Sequence, residues 1–213
     1  MRRARFQNAV TNVRPYGSHR FDVFGPKFGR RLTLFGRHAL QLWLRLEADP
    51  QVVTYCERPM LVPDAGRSRA AAFWVATDDS EQLYLLVRAQ ATASAAQGTS
   101  NWPALKVWCR AHSIALRIVA PDDLNDSAVL CQNRLTMLQH LAACTLPAGA
   151  DIQASIQRAC ESGLSLSGLE RQFAEIDPSV VRTTAFSLIL KGRLECPAIA
   201  LQPLGPRSYL VMR

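Results

Sequence analysis

Long apolar runs are missing from this sequence. No stretch of its 213 residues approaches the roughly 18–20 apolar residues of a membrane span. A secretory signal is missing too, because the basic start MRRARFQNAVTNVRPYGSHRF carries no apolar stretch behind its arginines. A cytoplasmic protein with no membrane partner is the expectation. Closely spaced cysteines are also absent: Cys56, Cys109, Cys131, Cys144, Cys160 and Cys196 form neither a CxxC pair nor a zinc-ribbon spacing, so they read as free thiols in a reducing compartment. His19, His38, His112 and His140 are scattered without HxxxH or HxH spacing, and no metal site is read from them. Neither a P-loop nor G-x-S-x-G nor G-x-G-x-x-G occurs, so nucleotide hydrolysis and serine hydrolase chemistry have no support. What remains is 48% hydrophobic and 20% charged, the composition of a globular chain of one or two domains.

Lysine is scarce, and acid is nearly missing from one end. The +8 net charge comes from 25 basic side chains, all but three of them Arg, against 17 acidic ones. Residues 1–45 hold nine Arg and Lys27 against Asp22 alone, a net +9, while the other 168 residues hold 15 basic and 16 acidic side chains, a net −1. A GC-rich genome raises Arg everywhere and does not produce this asymmetry. A basic N-terminal arm on a near-neutral body points to a polyanion partner, nucleic acid first.

Four stretches follow along the chain. Residues 1–33 read as a basic extended arm, punctuated by Pro15, Gly17, Gly25, Pro26 and Gly29, with one short strand at FDVF. Residues 34–145 open with a helix through HALQLWLRLEA, where Leu40, Trp43, Leu44 and Glu47 fall at helical spacing and Pro50 ends the pattern. Strands are expected at VVTYCE, PMLVP, AAAFWVAT and EQLYLLVRAQ, with Asp78-Asp79-Ser80 as a hairpin turn and ATASAAQGTS as a loop. WPALKVWCRAH then reads as a helix, IALRIVA as a buried strand, and PDDL as the start of helices ending at Cys144. This is an α/β sandwich around one mixed sheet.

Residues 146–150 form a hinge, and 151–213 read as a winged helix-turn-helix. DIQASIQRACES is a first helix stopped by Gly163; Ser167 and Glu170 form a capping box for a second. Asp177 caps a third, with Pro178 at its first position and Gly192 just past its end. LECPAIALQ and RSYLVMR, joined by PLGP, are the expected wing strands. On the third helix Val181, Ala185, Leu188 and Ile189 share one face, leaving Ser179, Arg182, Thr183 and Lys191 as candidates for a DNA groove. The module has little phosphate-contacting charge, so DNA binding and protein docking stay open for it.

The chain resembles TnsA-type proteins, the endonuclease subunits of heteromeric cut-and-paste transposases. The likeness runs through FGRRLTLFGRHALQLWLRLEADPQVVTYCERP, WCRAHSIALRIVAPDDL, NRLTMLQHL and LSLSGLERQFAEIDPSVVRTTAFSLILKGRLEC, with Leu46-Glu47, Asp49-Pro50 and Val52 its most specific phrase. It implies a restriction-endonuclease-like mixed-sheet domain followed by a winged-helix domain. It also implies partners: double-stranded DNA at transposon ends, an integrase-like transposase and an ATPase regulator.

A nuclease of this class uses a helix Glu, an Asp at a strand end, and a Glu/Gln-x-Lys on the next strand. The carboxylates hold a divalent metal that activates the attacking water. By the resemblance these positions are Ala39, Ala72 and the triplet Leu86, Val87 and Arg88. All three carboxylates are replaced by apolar side chains, and the Lys by Arg, which does not share its geometry. The implied protein is a pseudonuclease without a catalytic residue, metal or cofactor. Its DNA contacts would come from the degenerate face and from Lys27, Arg30, Arg31 and Arg37.

Two rivals remain at this stage. One is an active endonuclease using Mg or Mn at a relocated site, drawn from Glu47, Asp49, Glu57, Asp64, Asp78, Asp79 and Glu81, with Glu57 the best single candidate. The other is a DNA-binding regulator that works through the winged helix alone.

Overall fold

Where the sequence suggests one short strand in its basic N-terminal stretch, the backbone forms a hairpin. Strand β1 (Arg20–Gly25) pairs with β2 (Arg30–Phe35), and both alternate along their length as RFDVFG and RRLTLF. The turn closes with Gly29 N donating to Gly25 O at 2.9 Å. Gly29 has φ +66, a conformation that costs other residues a Cβ clash.

The computed structural model describes residues 5–64, 67–87, 102–144 and 148–213. They make a mixed α/β protein, and among them no helix is long and apolar enough to cross a membrane. The described residues within Met1–Val23, Arg31–Leu46 and Gln51–Asn125 form one compact unit. Those within Phe24–Arg30, Glu47–Pro50 and Asp126–Arg213 form a second.

The first unit is built on a four-stranded mixed sheet in the order β3-β6-β7-β8. Helix α1 (Arg37–Ala48) precedes it, with Leu42, Trp43, Leu44 and Leu46 buried. Strands β3 (Thr54–Glu57), β6 (Phe73–Ala76) and β7 (Glu81–Leu86) are antiparallel neighbours, and β8 (Ile114–Val119) lies parallel to β7. A parallel pair needs a crossover, and helix α2 (Pro103–Ala111) is part of it. A small hairpin, β4 (Leu61–Asp64) with β5 (Arg67–Ala70), is inserted between β3 and β6.

Alternation sorts the sheet into two faces. Cys56, Trp74, Leu83, Leu85 and Ile114 pack with Leu105 and Cys109 of α2. Tyr55 and Phe73 lie on the other face with rings edge to face at 5.8 Å, and the Tyr55 hydroxyl accepts from Trp43 Nε1 at 2.6 Å. That bond satisfies a buried indole that would otherwise be costly. Thr77 N donates to Ser80 O at 2.9 Å, closing the expected turn between β6 and β7. One expectation is corrected here. Among the described residues IALRIVA is an edge strand rather than a buried one, flanked by β7 alone, with Ala115 and Arg117 exposed and Ile118 44% exposed.

The longest part of the second unit opens with α3 (Ala128–Ala143), capped by Ser127 Oγ accepting from Leu130 N at 3.1 Å. It continues through α4 (Ala150–Ala159), β9 (Leu164–Ser165), α5 (Leu166–Gln172), α6 (Pro178–Leu190), β10 (Leu194–Glu195) and β11 (Tyr209–Met212). The three short strands form an antiparallel sheet in the order β10-β11-β9. Asp177 caps α6 with Pro178 at its first position, as expected, its carboxylate accepting from Ser179 N at 2.7 Å.

Two local expectations fail. The cap of α5 is Ser165 rather than Ser167, with Oγ accepting from Gly168 N at 3.1 Å. In LECPAIALQ only Leu194–Glu195 is strand. The remainder turns, because buried Asn133 of α3 donates to Ile199 O and Gln202 O, both at 2.7 Å, and accepts from Leu204 N at 2.9 Å. Those bonds occupy backbone groups that a longer strand would need.

Candidate nucleic-acid interface

The sheet register brings Ala72 and Leu86, two of the positions that the resemblance singles out, to one end of adjacent strands. Ala72 is one residue before β6 and donates from its N to Tyr84 O of β7 at 2.8 Å, while Leu86 is the last residue of β7. Ala72 and Leu86 are half-buried, and Ala39 sits partly exposed in the first turn of α1. Arg69 of β5 donates to the Leu86 carbonyl and lies 5.7 Å from the Trp102 ring centroid. Arg88 lies outside the described residues.

The acids considered for a relocated site lie in different settings. Glu81 accepts from Trp74 Nε1 at 2.9 Å and from Arg5 Nε at 2.7 Å. Asp78 and Asp79 are exposed in the hairpin turn. Glu57 is 3% exposed at the end of β3, opposite Phe73. Glu47 is 2% exposed at the end of α1, and Asp49 is exposed just beyond it. The side chain of Asp64 lies outside the described part. Among the described residues, no three of His, Cys, Asp or Glu converge as a metal would require.

Two of the histidines pack closely on aromatic rings. His112 stacks on Trp108 at 4.3 Å and donates from Nδ1 to Trp108 O at 2.8 Å. His140 meets Phe186 edge to face at 5.2 Å, and burial followed by the nearby Arg182 charge holds its pKa below the ordinary histidine value. His19 lies 6.5 Å from the Phe21 ring, and His38 is exposed. All six cysteines are free thiols, and burial pushes Cys160 up to about 11.

The candidate basic residues fall into separate settings. Arg31 and Arg37 are exposed in the first unit, at the start of β2 and of α1. Arg30 belongs to the second unit, its guanidinium 4.7 Å over the Phe28 ring. Lys27, Thr183 and Lys191 come together around a cleft of about 390 Å³ in the second unit, alongside Glu47, Ser187 and Phe24. Lys27 donates to the Asp49 carbonyl. Burial pushes its ammonium below the ordinary lysine range, while the Glu47 and Asp49 charges pull the other way. Sequence reasoning missed this cleft, since residues 24–27 and 183–191 share no local signal.

If the second unit reads DNA, Ser179, Arg182, Thr183 and Lys191 of the α6 segment are the candidates for the groove. Ser179 Oγ instead donates to the capping Asp177 carboxylate at 2.6 Å, and Arg182 is paired with Glu170 at 2.6 Å. Val181, Thr184, Ala185, Phe186, Leu188 and Leu190 are buried, and α3, α4, α5 and β10 all pack on this helix. Ser179 in the first turn of α6 and Lys191 just past its end are exposed, and Arg182 and Thr183 are partly exposed.

Compared with models of known protein families and with curated proteins, the chain matches none.

Proposed function

We propose that this chain is a TnsA-like subunit of a DNA transposition complex, a pseudonuclease that binds transposon-end DNA and scaffolds an integrase-like transposase and its ATPase regulator. The observation that carries the proposal is the end of the β6–β7 pair. Apart from the inserted β4–β5 hairpin, helix, three antiparallel strands, helix and a parallel fourth strand follow one another, an order that supports a restriction-endonuclease-like reading. In that arrangement Ala72 and Leu86 occupy one strand end, where a nuclease would need carboxylates. With alanine and leucine there, a hard cation has no oxygen ligands to replace its water shell.

From α4 onward the second unit runs helix, strand, two helices and two returning strands, an order that supports a winged-helix reading. Its third helix commits Arg182 to Glu170, which leaves little charge for groove reading and supports protein docking. Exposed Arg31 and Arg37, with the +9 balance of residues 1–45, favour DNA contact through the N-terminal part of the chain. Under the family's division of labour, a subunit that cannot cut leaves the 5′ strands joined, and the element then moves by a copying route unless another nuclease acts.

Strand-specific cleavage of a transposon-end duplex tests this, with Mg²⁺ or Mn²⁺ and with or without the transposase. Binding without 5′-strand cutting in every condition is the expected result. Metal-dependent cutting that co-purifies with the chain would falsify the pseudonuclease.

A further inference from the structure

Among the described residues strand β8 is paired on one side only, by β7. One bond shows which of its backbone groups face outward: Val119 O accepts from Val87 N at 3.0 Å. Alternation then aims the groups of Ala115, Arg117 and Val119 at β7, and those of Ile114, Leu116 and Ile118 away from it. Such an open row is a template for another strand, which natural edges commonly blunt with proline, a bulge or charge. β8 contains no proline and pairs with β7 residue for residue, without a bulge. Its one charge, Arg117, is drawn towards β7, with Nε donating to Gln82 Oε1 at 3.2 Å.

The strand fits a second copy of itself. Copies related by a two-fold axis run antiparallel, and a register centred on Leu116 sets Leu116 against Leu116 and Ile114 against Ile118. All of these face outward, so each pair exchanges two N–H···O bonds. Half-exposed Ile118 gains an apolar neighbour, and Arg117 falls opposite Ala115. A register centred one residue further on would oppose Arg117 to Arg117 and lose the Ile114 pairs.

Charge selects the same partner. An antiparallel pair brings the start of one β8 beside the end of the other. Arg110, in the last turn of α2, lies just before the start, and Asp122, in the turn Pro121–Leu124, just after the end. Both are exposed, and neither has an ion pair among the described residues. Across the axis each Arg110 approaches the Asp122 of the other copy, so the match occurs twice.

We propose that two copies of this chain join edge to edge through β8, forming one continuous sheet with Arg110–Asp122 pairs at both ends of the seam. The proposal does not depend on DNA binding.

Sedimentation of the full chain from low to high micromolar concentration should show monomer passing to dimer. Arg110→Glu and Asp122→Lys should each weaken the dimer by about tenfold, the scale of two exposed ion pairs turned into repulsions. Mixing the two variants should restore it, because both ends of the mixed pair then carry opposite charges. Ile118→Pro removes an outward N–H and no bond to β7, so it should leave a folded monomer. Amide exchange at Leu116 and Ile118 should slow as wild-type concentration rises. A wild type that stays monomeric overturns the proposal, as does a dimer that Ile118→Pro leaves intact. Charge variants that dimerise like the wild type, or a mixture no tighter than either alone, overturn this register and the proposal with it.

Discussion

Arg182 donates from Nε and Nη2 to a single oxygen of Glu170, at 2.9 and 2.6 Å, tying α6 to α5. A guanidinium held this way braces two helices and is poorly disposed to read a base edge. Arg182→Ala is therefore expected to cost about 1 kcal/mol of stability, the scale of a partly exposed ion pair. DNA affinity should change by less than about twofold, because binding depends on phosphate contacts made elsewhere. Thermal unfolding and anisotropy, measured side by side, check both. Lost DNA affinity at an unchanged melting temperature would return groove reading to α6.

Arg30 and Arg31 open β2 inside the most basic stretch of the chain. Changing both to Ala should weaken duplex binding and flatten its logarithmic salt dependence by about 1–2, close to one ion for each lost phosphate contact. A titration between low and moderate salt gives the slope directly. A slope equal to that of the wild type would mean that neither side chain meets a phosphate.

Arg58 is 9% exposed, donates to Thr11 O, Thr33 O and Asn12 Oδ1, and lies 4.8 Å over the Phe35 ring. Arg58→Ala leaves those acceptors without their donor and is expected to destabilise the protein by about 2–4 kcal/mol. Amide exchange should rise most in residues 8–18, whose root the side chain holds. Uniform loss of protection across the sheet would show that Arg58 supports the core and not this segment.

Asp177 caps α6, and its hydrogen bonds from the Ser179 side chain and backbone hold its pKa below the ordinary value. A depressed folded-state pKa contributes stability above the unfolded value, about 3.9, and loses it as pH falls through the folded one. Asp177→Asn keeps an acceptor that does not titrate. The advantage of the wild type over Asp177→Asn in melting temperature should therefore shrink as pH drops below about 4. A gap that stays constant from pH 6 to pH 2 would remove the cap from the acid response.

Signals confined to a few residues were the legible ones. Asp177-Pro178 and Gly192 mark α6 because a cap, a donor-free first position and a left-handed stop act within one turn of chain. The mixed sheet was legible because alternation and the Asp78-Asp79-Ser80 turn are equally local. LECPAIALQ misled because Asn133, more than sixty residues upstream, takes its carbonyls. Ser167 and Glu170 have capping-box spacing, yet Ser165 caps the helix and Glu170 takes Arg182 instead. IALRIVA has the composition of an interior strand, and only the sheet order puts it at an edge. Ala72 and Leu86 could be named only through a resemblance, and the cleft around Lys27 could not be named at all, because its walls come from four distant stretches.

The second unit draws on Phe24–Arg30 and Glu47–Pro50 as well as on Asp126–Arg213. A growing chain therefore makes two of its pieces early and must hold them, unfinished, until the last part has left the ribosome. A fragment starting at Asp126 or Asp151 would lack Phe24, Pro26, Lys27 and Glu47 from the cleft wall, and the Pro50 ring that a side chain at Gly192 would strike. Cutting between the units is thus an amputation rather than a dissection. Experiments on this protein are best done with single substitutions in the whole chain.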